Sequence, residues 1–169
     1  TKKDWELIMQ PMLTIVLQRS RFAGTFPRDL LYSPLKFQGL GVLHPWYRQQ
    51  IVHLLVLCKE TFNASPTGEL LQANAAQLRL EMGTPGAFTD APIHWVAEYM
   101  TTSWLKDLLQ FLHKFRISIT DPLPHLLPKR EEDQFLMNYF ISQGFRGEEL
   151  SLFNAARQAI EVTTLSDIC

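Results

Sequence analysis

Apolar residues recur at helical spacing along most of this chain, and the pattern breaks where proline and glycine cluster. After Asp4, which can cap a helix, Trp5, Ile8, Met9, Met12, Ile15 and Val16 fall three or four apart, so they share one helical face. Pro11 lies inside that pattern and predicts a kink or a restart, because it lacks the N–H that the helix needs. Phe26 to Leu31 reads as one short helical turn before the connector LYSPLKFQGLGVLHPW, residues 31–46. From Pro45 to Phe62 the spacing predicts a strongly buried helix with Tyr47, Ile51, Leu54, Leu55, Cys58 and Phe62 on its inner face. Ser65-Pro66 opens another helix carrying Leu70, Leu71, Ala75 and Leu78, and Gly83 marks its end.

The second half continues in the same way. Residues 83–93 read as a loop, and Thr102 or Ser103 caps a helix through Phe115 built on Trp104, Leu105, Leu108, Leu109, Phe111 and Leu112. Arg116 to Thr120 alternates and predicts a short strand; Ile160 to Thr164 alternates more weakly. Asp121 to Pro128, with three prolines, is irregular. Further helices are expected over Glu131–Ser142, with Phe135, Leu136, Tyr139 and Phe140 inward, and over Glu148–Arg157. Leu165 to Ile168 looks like the start of a further element. The expected fold is mainly α: a helical bundle with one or two short strands and irregular Pro/Gly-rich connectors. Residues 1–62 are expected to form a first helical region and 63–169 a helical extension packed on it as one unit.

Composition narrows the class. With 46% hydrophobic and 20% charged residues over 169 positions, the chain can bury a core. Ile51 to Cys58, the longest apolar run, is interrupted by His53 and is far below the ~18 residues of a membrane span. Lys2, Lys3 and Asp4 lead into an amphipathic pattern unlike a signal peptide. The first residue, Thr1, points to a piece of a longer polypeptide. Cys58 and Cys169 make no disulfide framework, so an intracellular location, nuclear or cytoplasmic, is expected. Net charge is −1, but residues 1–60 hold eight Lys and Arg against four Asp and Glu; on charge alone an ordinary solvated surface is the first reading of this excess and phosphate contact the second.

A search for chemistry finds no catalytic constellation. His44, His53, His94, His113 and His125 stand singly, without a metal-ligand spacing, and no nucleophile motif is present. Gly39-Leu40-Gly41 lacks the third glycine of a dinucleotide loop and is read as local backbone freedom, since glycine allows positive φ and close packing. Glu131-Glu132-Asp133 is read as the acidic first turn of a helix rather than a Mg²⁺ site. Trp5, Trp95 and Trp104 are assigned to the core, while Trp46, Tyr47 and Arg48, with Lys36 and Phe37, suit either base stacking or packing. No catalytic residue, metal ligand or cofactor is assigned.

Five phrases carry a resemblance that spans nearly the whole chain in order: FPRDLLYSPLKFQGLGVLHPWYRQQ, TGELLQANAAQLRLEMG, SWLKDLLQFL, EEDQFLMNYFISQG and LFNAARQAIEVTTLSDI. Together they resemble the thumb and post-thumb region of reverse transcriptases of eukaryotic LINE-like retroelements. The first matches that family's connector of the form P…GGLG(I/V), with Gln38 in place of the first glycine and Gln49 or Gln50 in the following helix. The paired aspartates of the polymerase palm are missing, since no Asp-Asp occurs in the sequence.

The resemblance implies a non-catalytic fragment of an RNA-directed DNA polymerase that holds template–primer nucleic acid, RNA or an RNA–DNA or DNA duplex, by backbone contacts. Arg19, Arg21, Arg28, Lys36 and Arg48 are the phosphate-binding candidates, chosen by charge and position. Pro34, Gly39, Gly41 and Pro45 are the candidate hinge between thumb and palm. The rest of the parent polypeptide, or another protein, is the expected protein partner. The alternative is a host-retained helical interaction or scaffold module that binds no nucleic acid, which predicts an exposed apolar patch.

Overall fold

A computed structural model describes residues 2–86, 93–119, 126–128 and 130–168. The fold is mainly α, with helices α1 (Lys2–Arg19), α2 (Arg28–Tyr32), α3 (Pro45–Glu60), α4 (Pro66–Met82), α5 (Ile93–Val96), α6 (Trp104–Phe115), α7 (Leu136–Ser142) and α8 (Gly147–Ala159). Short 3₁₀ turns form at Leu35–Phe37 and Leu165–Asp167. Among the described residues no strand forms; the one trace of pairing is an isolated antiparallel bridge between Phe135 and Thr164. Alternation at 116–119 fails to make a strand because Arg116 turns left-handed (φ 53°) and closes α6 instead. The chain divides into two compact units, residues 1–52 and 53–169.

In the first unit α1 runs unbroken through Pro11, so the expected restart does not occur. Its buried face is also not the expected one. Leu13 and Leu17 join Leu31 of α2 in a small core, against which Met9, Phe26, Tyr32 and Leu40 pack. Ile8, Met12, Ile15 and Val16 face solvent. Helical spacing identifies which residues share a face, and α1 has two apolar faces of which only one is covered.

The same correction applies to α3, which ends at Glu60. Gln50 and Leu57 are buried and His53 half-buried, whereas Ile51, Leu55, Cys58 and Phe62 are exposed, Phe62 at 73%. The α3 inner face thus lies about a quarter-turn from the stripe that apolarity alone selects.

The second unit follows the sequence more closely. Ser65 caps α4 by accepting the Gly68 N–H at 3.1 Å, and Gly83 ends it at φ 58°. Leu71, Ala75, Leu78 and Met82 are buried, while Leu70 is exposed. Ser103 caps α6 by accepting the Lys106 N–H, and Leu105, Leu108, Leu109, Phe111 and Leu112 pack inward. Trp5 in the first unit, and Trp95 and Trp104 in this one, are half-buried rather than fully enclosed. Residues 87–92 and 120–125, most of two predicted irregular segments, lie outside the described residues, and α5 begins at Ile93.

Glu131-Glu132-Asp133 does not form a helical first turn: α7 begins only at Leu136, and Glu132 has φ 65°. Asp133 instead binds the C-terminal turn, accepting the Ser166 backbone N–H at 3.2 Å and the Ser166 hydroxyl. Those hydrogen bonds, the Ser166 side chain's first, hold its carboxyl below the usual range. Leu165–Asp167 is itself closed by a capping box, with Asp167 accepting the Thr164 N–H at 2.8 Å. Residues 131–137 and 163–168 are therefore direct structural partners.

A buried polar brace secures the end of α4. Arg157 of α8, 4% exposed, donates from Nη2 to the carbonyls of Leu80 and Glu81, which have no donor within their own helix. The Tyr99 hydroxyl donates to the Met82 carbonyl at 2.8 Å, and the Glu81 carboxylate accepts from the Thr101 N–H and hydroxyl. Burial raises the Tyr99 phenol far above its usual range, so it remains a donor at any physiological pH.

Candidate nucleic-acid interface

Every residue singled out for phosphate contact or hinge motion falls in the first unit. The connector there folds back onto α2. Leu40 N–H donates to the Leu30 carbonyl at 2.9 Å, Gly41 N–H to Ser33 at 2.9 Å, and Val42 N–H to Leu31 at 3.1 Å. Pro34 stands before the 3₁₀ turn with φ −59°, which its ring imposes, and Pro45 is the first residue of α3. The left-handed positions are Gln38 (φ 61°) and Gly41 (φ 65°).

Gly41 supplies the positive φ expected of this glycine pair, and Gly39 the close packing. A Cβ there would stand 2.1 Å from the Ser33 carbonyl oxygen, so only hydrogen fits. The position where the family pattern has glycine and this chain has glutamine is the one that turns left-handed. Gln38 thus adopts a conformation that favours glycine.

Around this connector the five cations separate into two groups. Arg19, Arg21, Lys36 and Arg48 are exposed, and among the described residues no carboxylate pairs with their side chains. Lys36 lies over the Phe37 ring at 4.8 Å, and that ring is itself 66% exposed. Arg28 is drawn inward. It lines a cleft of about 250 Å³ with Glu6, Met9, Gln10, Leu13 and Tyr32, and its Nη1 is closed to solvent without a hydrogen-bond partner. Arg19 ends α1 on the same side as the exposed Ile8, Met12 and Ile15.

Trp46 and Tyr47 do not stand ready for a base. They pack edge to face at 5.0 Å, and Tyr47 meets the buried His44 ring at 5.8 Å, while Tyr32 approaches His44 at 4.9 Å from the other side. His44 Nδ1 accepts the Trp46 N–H at 3.1 Å, which places the ring proton on Nε2. Burial first, and the nearby Lys2 second, lower the His44 pKa, so the imidazole is neutral at pH 7. Trp5 Nε1 donates to Gln49 Oε1 at 2.8 Å, which joins α1 to α3 within the first unit. His44, set immediately before a helix start among aromatic residues, is the sequence position at which this cluster forms. A histidine without a metal-ligand spacing does not reveal it.

The first unit therefore carries exposed cations at Arg19, Arg21, Lys36 and Arg48 and a connector braced by backbone hydrogen bonds. Among the described residues no group of three or more His, Cys, Asp or Glu could hold a metal ion, and no helix is long and apolar enough to cross a membrane. Comparison of the chain with protein-family models, with curated proteins and with solved structures finds no match.

Proposed function

We propose that the chain is a non-catalytic thumb and connection segment of a LINE-like reverse transcriptase, which grips template–primer nucleic acid through its phosphate backbone. The observation that carries this reading is the exposure of Arg21, Lys36 and Arg48, without carboxylate partners among the described residues, in a unit whose connector is braced by backbone hydrogen bonds. Arg28, turned inward, and Arg19, set on the apolar side of α1, contribute less. Phe37, exposed beside Lys36, offers a sequence-tolerant stacking surface at a strand end.

Fluorescence anisotropy with an RNA–DNA duplex tests the proposal. The 169-residue chain is expected to bind at low salt, and Arg21→Ala/Lys36→Ala/Arg48→Ala to lose roughly tenfold or more in affinity. Unchanged affinity in the triple variant contradicts the reading.

A second reading, a helical protein-interaction module retained without nucleic-acid binding, is favoured by the many large apolar side chains that the first unit exposes, Leu35 at 75% among them. It predicts no duplex binding at any salt concentration, together with a stable protein complex that survives nuclease treatment.

A further inference from the structure

We infer that the outer face of α1 is a self-association surface, on which a second copy of this chain packs its own α1 antiparallel about a twofold axis. The face carries Ile8, Met12, Ile15 and Val16, each between 55 and 57% exposed, with exposed Leu7 at its margin. Ile8, Met12, Ile15 and Arg19 follow the four-three-four spacing of a helix–helix seam. That seam is apolar in its middle and charged at its ends. Asp4 stands one turn before Ile8 and Arg19 one turn after Ile15, and both are exposed.

The placement of these groups selects the occupant. The midpoint of Asp4 and Arg19 along α1 coincides with the midpoint of Ile8 and Ile15, between Pro11 and Met12. An antiparallel twofold about that point therefore sets each Asp4 opposite the other copy's Arg19, each Ile8 opposite Ile15, and the two Met12 side chains near the axis. A parallel pair sets Asp4 on Asp4 and Arg19 on Arg19, which repels at both ends. A carboxylate accepts several hydrogen bonds, so Asp4 can serve a cation across the interface alongside its contacts within the chain. Pro11, at the centre, leaves the Leu7 carbonyl without its helical donor, and Met12 beside it is the most adaptable of the apolar side chains at a close approach.

One pair of such helices is near the lower limit of a specific interface, so the expected dimer dissociates in the range of about 1–100 μM. Arg21, Lys36 and Arg48, which carry the proposed phosphate grip, lie off this seam, and Arg19 is the candidate cation that the two share.

Sedimentation equilibrium on the 169-residue chain is the test, with circular dichroism confirming that each variant keeps its helix content. Met12→Glu, which sets two carboxylates at the axis, is expected to weaken association at least about tenfold. Asp4→Arg alone and Arg19→Asp alone are each expected to weaken it several-fold, and Asp4→Arg/Arg19→Asp to restore it, because the exchange re-forms both pairs. A chain that stays monomeric to about 500 μM overturns the inference. So does a dimer indifferent to Met12→Glu, or a double variant no better than the single ones; these results assign the face to a different occupant.

Discussion

Gln38 and Gly39 show how much of the connector is decided by single backbone positions. Gln38 holds φ 61° with a side chain that disfavours it, so Gln38→Gly is expected to stabilise the first unit by about 0.5–1 kcal/mol. Gly39→Ala is expected to do the opposite, by at least about 2 kcal/mol, because its Cβ would collide with the Ser33 carbonyl rather than with a movable side chain. Urea midpoints of the two variants, measured against the parent, check both signs. In the second unit, Arg157→Leu leaves the buried Glu81 carbonyl and the part-buried Leu80 carbonyl without this donor, and a loss of about 2–4 kcal/mol is expected in the same assay.

At the scale of elements, α3 and the residue before it carry a pH response. Burial lowers the pKa of both His44 and His53; Lys2 adds to the effect at His44, and Asp107 opposes it at His53. The unfolded chain therefore takes up protons near the ordinary histidine pKa of about 6.5 that the folded chain resists. Their contribution is complete above that pH and is lost as pH falls through it toward the lower folded values. A urea midpoint that drops between pH 7.5 and pH 5.5, with the drop reduced in His44→Phe, is the expected result.

Element boundaries were legible where a cap or stop residue stands at them. Ser65, Gly83 and Ser103 each do in the structure what their chemistry predicts. Burial was legible only where a helix has a single apolar face. In α6 the apolar residues form one stripe and that stripe is buried, but α1 and α3 are apolar nearly all round, and periodicity cannot choose between their faces. The role of Asp133 was hidden for another reason: its partner Ser166 lies thirty-three positions away, and no local pattern encodes that pairing.

Over the whole molecule, apolar burial is unequal. Unit one, residues 1–52, encloses three buried leucines in its core and exposes apolar side chains on α1, the connector and the start of α3. A unit of that size with so small a core is marginal. Unit two, residues 53–169, holds most of the buried hydrophobic residues and the Arg157 brace. Amide hydrogen exchange is accordingly expected to be slowest in α6 and α8 and fast throughout α2.

The central claim, that the first unit grips nucleic acid chiefly through the phosphate backbone and without sequence readout, is tested most directly by the salt dependence of duplex binding. Log affinity for an RNA–DNA duplex against log salt is expected to fall with a slope of about −0.9 per phosphate contacted, nearly equal for unrelated sequences and shallower by about 2–3 in the Arg21/Lys36/Arg48 triple-alanine variant. A flat salt response, or a strong preference for one sequence, contradicts the claim.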